Sequence, residues 1–173
     1  MKRLLPLVFS IFAWPAHAAC TAPAEWARTF QQAHAGFYAE PDRHDSSLFT
    51  QAFDAALRRE WAYAQGEVGH LDYDPWLGAQ DGEIGDKPVF ETESETRDTA
   101  IVAMRYPFVL EPSGPRTPQV VHLVLKRVAP QCWRLDDFIT PLGDSLQRLY
   151  AAPQDTPQED KPTSPPAPDT RVR

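Results

Sequence analysis

The chain has 173 residues, with 17 lysine and arginine residues against 24 aspartate and glutamate residues, a formal net charge of −7. This acidic balance argues against nucleic acid and anionic membranes as partners, because binding to phosphate groups needs clustered lysine and arginine. The length predicts one domain of roughly 100–200 residues, and no segment reaches the roughly 18–20 apolar residues of a membrane span.

Residues 1–18 have the composition of a secretory signal peptide. The positive start Met1-Lys2-Arg3 precedes an apolar run and the small-x-small pattern Ala16-His17-Ala18, after which a signal peptidase cuts. We therefore expect an exported, periplasmic protein. Loss of Lys2 and Arg3 with the leader would change the net charge from −7 to −9.

Cys20 and Cys132 are the only cysteines in the sequence. Outside the cytoplasm an even count favours a disulfide, which would tie the start of the mature chain to a late element. The alternative is lipidation of Cys20 and anchoring in a membrane. Lipoprotein leaders usually have an aliphatic residue three positions before the cysteine, where this chain has His17, so we expect the disulfide.

Two amphipathic helices are predicted at the start of the domain. The stripe of the first is formed by Trp26, Phe30, Ala33 and Phe37, between Pro23 and Pro41. The second is expected to start at Ser46 or Ser47, both capping residues, and to end at Gly66, which suits a left-handed C-cap. Its stripe is formed by Phe49, Phe53, Leu57, Trp61 and Ala64, which places Arg58-Arg59-Glu60 on the solvent side.

Residues rich in β-branched and aromatic side chains predict four strands, at 89–93, 99–110, 119–128 and 133–139. Pro107 within the second strand indicates an edge, a bulge or an early end. A short helix is expected over 144–150, with Leu146, Leu149 and Tyr150 facing inward. The segment 152–173 is rich in proline and polar residues and is predicted to be a disordered tail.

Two helices followed by antiparallel strands indicate an α+β domain over residues 19–151. We expect two N-terminal helices packed on a curved antiparallel sheet of about four strands, with a short C-terminal helix, in a cone-like arrangement. Such a cone often leaves an apolar pocket at its open end.

The segment Asp72-Tyr73-Asp74-Pro75-Trp76-Leu77-Gly78-Ala79-Gln80-Asp81 combines carboxylates with large aromatic rings. Together with Cys132-Trp133-Arg134-Leu135-Asp136-Asp137-Phe138 and Gly143-Asp144-Ser145-Leu146, it resembles the bacterial domain-of-unknown-function family numbered 3828. The resemblance covers roughly residues 25–150. That family is similar to the nuclear-transport-factor-two-like superfamily, which implies a cone of helices and a curved sheet but no catalytic residues.

Three interpretations of this segment remain open. Its carboxylates Asp72, Asp74, Asp81 and Glu83 could bind Ca²⁺, although their spacing is not that of an EF-hand. Two of them could form an acid–base pair, as in glycoside hydrolysis. In the third, structural, interpretation Asp72 and Asp74 cap backbone N–H groups while Trp76 and Leu77 fill the junction of helix and sheet.

His122 lies in an alternating strand, facing either solvent or the cone interior, and could act with Asp74 or Asp81 in proton transfer. The sequence contains no nucleophile elbow, P-loop or dinucleotide fingerprint, so we expect no catalysis, no metal and no cofactor. The expected function is binding of a protein, basic by charge complementarity, as an inhibitor or immunity protein that masks an effector or wall hydrolase. The expected binding residues are Asp72, Tyr73, Asp74, Trp76, Gln80, Asp81 and His122.

The alternative function is a small-molecule pocket protein or enzyme that uses the cone interior. In that case His122, Tyr106, Trp133 and the loop carboxylates would line the cavity.

Overall fold

The computed structural model describes residues 20–128 and 133–151. The predictions about the leader, Cys132 and the tail fall outside these ranges. The helices are α1 (Pro23–His34), α2 (Gln51–Ala64) and α3 (Leu146–Leu149), and short 3-10 turns occupy Pro41–Arg43 and Ser46–Leu48. The strands are β1 (Glu83–Ile84), β2 (Val89–Glu95), β3 (Thr99–Val109), β4 (Thr117–Lys126) and β5 (Arg134–Ile139).

The strands form one antiparallel sheet that curls into a half-barrel, with the helices packed against it. The long strand β3 pairs with both β1 and β2 along one edge and with β4 along the other, and β4 pairs with β5. This arrangement confirms the predicted α+β class and the four predicted strands. The two-residue strand β1 was not expected. Within the described ranges, no helix is long and apolar enough to cross a bilayer.

Helix α2 starts later than the sequence predicts. The side chain of Thr50 accepts a hydrogen bond from the Phe53 backbone N–H, so Thr50 rather than Ser46 or Ser47 is the cap. Strand β5 fixes this residue, because the Thr50 hydroxyl donates to Asp136 at 2.7 Å and the Thr50 backbone N–H donates to the Leu135 carbonyl at 2.9 Å. At the other end the left-handed residue is Gln65, one position before the expected Gly66, which also has a positive φ.

Aromatic rings fill the space between the helices and the sheet. The Phe37 ring lies 5.4 to 6.2 Å, between centroids, from the rings of five residues: Phe30, Phe49, Phe53, Trp76 and Phe138. Alternate residues of the central strands, Val102, Met104, Val121 and Leu123 among them, are fully buried against these rings. The interior of the half-barrel is therefore packed, and it does not form the expected cavity lined by His122, Tyr106 and Trp133.

The start of the described domain contacts Trp133, which directly precedes β5. Its indole N–H donates to the Thr21 carbonyl at 3.0 Å, and the Arg127 guanidinium lies 4.4 Å from the centroid of its ring. Trp133 follows Cys132 directly, and Thr21 follows Cys20. This contact brings the chain neighbours of both cysteines together, but the disulfide itself stays a prediction because Cys132 lies outside the described residues.

Candidate binding site

A cavity of about 590 Å³ lies between the C-terminal half of α2, the loop that follows it and Tyr150. Its acidic and amide side chains are those of Glu60, Glu67, Asp72, Asp74 and Gln80, and its aromatic side chains are those of Tyr38, Trp61, Tyr73 and Tyr150. No lysine, arginine or histidine is among the described residues that line it. The cavity is therefore rich in negative charge and in hydrogen-bond acceptors. We call it the acidic cavity.

Glu60 forms part of the floor of the acidic cavity, and it is only 5 % exposed. The prediction that it faces solvent is therefore wrong. It lies seven residues after Phe53, two helical turns along the same buried face of α2. Its carboxylate accepts the His70 backbone N–H at 2.7 Å and lies 2.5 Å from His70 Nδ1.

The loop can approach Glu60 because position 69 is glycine. A Cβ atom there would overlap the Glu60 carboxylate. On its other side, the His70 ring lies against the Tyr63 ring, with 4.2 Å between the centroids. The loop thus covers the Glu60 carboxylate with the backbone and ring of His70, while Glu60 also lines the acidic cavity.

Asp74 lines the acidic cavity, but its carboxylate is also used to hold the loop together. One oxygen accepts the Trp76 backbone N–H at 2.7 Å, and the other accepts the Tyr38 hydroxyl at 3.1 Å. The Asp74 carbonyl accepts the Gly78 N–H at 2.8 Å, and Gly78 has a φ of 64°, which favours glycine. The structural interpretation of Asp74 is therefore confirmed.

Trp76 belongs to the core and is 4 % exposed. Its indole N–H donates to the Ala35 carbonyl at 2.7 Å, and its ring makes an edge contact with Phe138 at 4.6 Å between centroids. Its carbonyl accepts the Tyr106 hydroxyl. The expectation that Trp76 could contact a partner from the surface is corrected, because its ring is needed to join α1, the loop and the sheet.

The tyrosine hydroxyls around the cavity stay protonated well above neutral pH. Burial and then a hydrogen bond to Asp144 raise the pKa of Tyr73 to about 12. Burial also raises the pKa of Tyr38, with a further contribution from the charge of Asp74. Burial and the nearby charge of Glu60 raise the pKa of Tyr150. These hydroxyls can therefore donate or accept hydrogen bonds without adding negative charge.

The structure brings together four of the seven predicted binding residues: Asp72, Tyr73, Asp74 and Gln80 all line the acidic cavity. Asp81 is exposed and does not line it. His122 lies on the sheet face that points away from the helices, where its Nε2 is 3.2 Å from the Glu93 carboxylate. The proposed pairing of His122 with Asp74 or Asp81 is therefore not formed.

Sequence reasoning missed Tyr38, Glu60 and Tyr150 as cavity residues. For Glu60 a signal exists, because a carboxylate seven positions after Phe53 falls on the apolar face of α2. For the two tyrosines no local pattern distinguishes a cavity wall from ordinary core packing.

The carboxylates of the loop do not assemble a metal site. Among the described residues, no group of three or more histidine, cysteine, aspartate or glutamate side chains is placed to hold a metal ion. The calcium interpretation of Asp72, Asp74, Asp81 and Glu83 therefore has no ligand set, since Ca²⁺ takes six to eight oxygen ligands.

A second depression, the apolar groove, lies at one end of the sheet and has a volume of about 630 Å³. Pro107, Pro118 and Pro141 line it, together with Val89 and Leu142, which are both 62 % exposed. Pro107 faces Pro118 across β3 and β4, so the strand continues for two residues past the position where an early end was expected. The groove contains none of the predicted binding residues.

Compared with known proteins, the chain matches no family model, no curated protein and no solved structure. The resemblance to the family numbered 3828 thus depends on the sequence motifs alone and stays a prediction.

Proposed function

We propose that this chain is an exported, non-catalytic binding protein whose acidic cavity accepts a basic group of a protein partner. In its concrete form it is a periplasmic inhibitor or immunity protein that masks an antibacterial effector or a wall hydrolase. Membership of the family numbered 3828 is part of the same proposal.

The charge of the acidic cavity carries this proposal. Four carboxylates line the cavity, and no lysine, arginine or histidine is among its described lining residues. Glu60 contacts the His70 ring from outside the cavity and Asp74 accepts two hydrogen bonds, whereas the carboxylates of Asp72 and Glu67 have no such contact within the described residues. Asp72 and Glu67 are exposed at the rim, whereas Glu60 lies at the floor. Opposite charge at the rim accelerates encounter with a basic partner, and charge in the desolvated floor adds specificity.

The aromatic walls support binding rather than simple solubility. Tyr38, Tyr73 and Trp61 line the same cavity as the carboxylates. Aromatic rings attract cations through their negative faces, most strongly where water is excluded. Aromatic side chains are also enriched among the residues that contribute most to protein interfaces.

Export supports a partner in the envelope. The leader over residues 1–18 and a Cys20–Cys132 disulfide remain proposals, and the contact between Trp133 and Thr21 is compatible with that pairing. A protein stabilised in this way can act where the glutathione pool does not reduce disulfides.

A small cationic molecule in the same cavity is the second candidate function. The volume of about 590 Å³ falls within the usual range of ligand sites, roughly 300–1,000 Å³. It replaces the earlier alternative of a ligand in the cone interior, where aromatic rings fill the space.

The test is to purify the full mature chain, oxidised, from the envelope of its native host and to identify stoichiometric co-purifying proteins by mass spectrometry. A basic protein that rebinds after separate purification, and whose activity the chain reduces, is the expected result. Intact mass measured under native conditions distinguishes the second candidate, which predicts added small-molecule mass and no protein. A chain that carries neither would overturn the proposed function.

A further inference from the structure

The buried end of the acidic cavity contains a polar group without a partner. The side chain of Tyr150 is 3 % exposed and lines the cavity, yet within the described residues no hydrogen bond reaches its hydroxyl. The hydroxyl is not one of the fully buried polar atoms without a partner in the described part of the chain, so it faces the open space of the cavity. A ligand that enters the cavity can therefore form a hydrogen bond with it.

The surroundings of Tyr150 define what that partner must be. Tyr150 lines the same cavity as Glu60, Tyr38 and Tyr73, and burial together with the charge of Glu60 raises the pKa of its hydroxyl. The Tyr38 and Tyr73 hydroxyls already donate to Asp74 and Asp144. Each Glu60 oxygen is bonded to His70 on one side only, which leaves further acceptor capacity. A ligand with several donors and a positive charge can therefore bond to the remaining acceptor positions of Glu60 and to the Tyr150 hydroxyl together.

The rim of the acidic cavity offers acceptors for a positively charged donor at a second position. Asp72 and Glu67 are exposed, and within the described part of the chain their carboxylates form no hydrogen bond. A compact ammonium group is a point charge and can bind either at the rim or at the floor, but not at both. A guanidinium has five N–H donors in a rigid plane, bridges separate acceptors and stacks on aromatic faces, and it loses its hydration more readily.

We infer that the acidic cavity binds a guanidinium group, in its proposed biological use an arginine side chain of the partner protein. The plane of the group lies against the tyrosine walls, its inner N–H groups bond to Glu60 and the Tyr150 hydroxyl, and Asp72 attracts it at the rim. This inference rests on the proposed binding function and specifies the chemistry of its site.

The experiment titrates the isotope-labelled, oxidised mature chain with N-acetyl-arginine amide and follows its backbone amide resonances. N-acetyl-citrulline amide, which has almost the same shape without the charge, is the matched ligand control. Charge-assisted hydrogen bonds contribute enough to make the citrulline ligand about tenfold weaker or more. Shifts are expected in α2 and the loop that follows it, and N-acetyl-lysine amide should bind more weakly than the arginine ligand.

Two variants test the inner end of the cavity. Tyr150→Phe keeps the ring and removes the hydroxyl, and it should weaken binding of the arginine ligand by about two- to tenfold. Tyr63→Phe removes an exposed tyrosine hydroxyl of α2 that does not line the cavity, and its affinity should equal that of the unchanged chain. Equal affinities of Tyr150→Phe and Tyr63→Phe would overturn the inference.

Other outcomes separate the inference from the proposed function. Equal binding of arginine and lysine ligands, or of arginine and citrulline ligands, would overturn the guanidinium assignment even if a basic protein co-purifies. Arginine-selective binding would support it, and competition between the arginine ligand and a captured protein would identify that protein's side chain as the source. The chain could bind the arginine ligand selectively, carry a small guanidino compound in its native mass spectrum and co-purify with no protein. That result would overturn the proposal that the guanidinium belongs to an arginine of a partner protein.

Discussion

Two sets of side chains in one short loop have opposite surroundings. Asp74 and Trp76 bind backbone groups and rings of the core, and they join the loop to α1 and the sheet. Asp72 and Gln80 are exposed at the rim of the acidic cavity. The first set builds the wall, whereas the second presents its charge and polarity to a ligand. A segment that is uniformly rich in carboxylates and aromatic residues can therefore combine support and binding, and mutation should separate the two.

The strongest test of the supporting set is Trp76→Ala. Loss of a buried tryptophan usually lowers the free energy of unfolding by about 3–5 kcal/mol, and here it also leaves the Ala35 carbonyl without its donor. Thermal or denaturant unfolding measures the effect. Trp76→Phe, which keeps a ring, should cost less. If Trp76→Ala unfolds at the same denaturant concentration as the unchanged chain, the indole does not hold the loop to the core.

A smaller loss is expected for Asp74→Ala. The Trp76 backbone N–H and the Tyr38 hydroxyl would both lose their acceptor, which should lower the free energy of unfolding by about 1–3 kcal/mol. Asp72→Ala is the matched control from the same loop and should stay within roughly 0.5 kcal/mol of the unchanged chain. If both aspartate variants lost the same free energy of unfolding, Asp74 would not differ from Asp72 in supporting the loop.

Alkaline pH provides a test without mutation. Burial raises the pKa of Tyr38, Tyr106 and Tyr150, and that of Tyr73 to about 12, from a reference value of 10.0. Because the folded state holds these protons more tightly, their contribution to stability is complete below pH 10. It is lost as pH rises from 10 through the folded pKa values.

Ultraviolet absorbance of tyrosinate during a pH titration measures this directly. The folded chain should show late ionisation of these four tyrosines, and the denatured chain should titrate them near the reference value. Ionisation of all of them near pH 10 in a chain that is still folded would contradict the packed environment described for them.

The sheet could be predicted from sequence because local enrichment in β-branched and other apolar residues already specifies strands such as β4. The start of α2 could not, because Thr50 is fixed by bonds to Leu135 and Asp136, which are far away in the chain. The face of His122 was undetermined for a related reason. Alternation separates two faces of a strand, but only the packing of the helices decides which is inside.

The acidic cavity was half predictable. Asp72, Tyr73, Asp74 and Gln80 stand out as a dense polar and aromatic segment, but Tyr38 and Tyr150 join them only through the fold. Trp76 shows the limit of composition as a guide. An aromatic residue between acidic ones fits a surface contact and a core plug equally well in sequence, and the contact of its ring with Phe138 decides for the core.

The most direct test of the acidic cavity as the binding site compares two double variants with the same change in charge. Asp72→Asn with Glu67→Gln neutralises the rim of the acidic cavity, whereas Asp81→Asn with Glu83→Gln neutralises exposed carboxylates outside it. Affinity for the captured basic partner is measured beside the melting temperature. If the partner binds in the acidic cavity, the first variant loses affinity by about tenfold or more, the second keeps it, and both melt like the unchanged chain. Equal affinity for the two variants would contradict the cavity as the binding site.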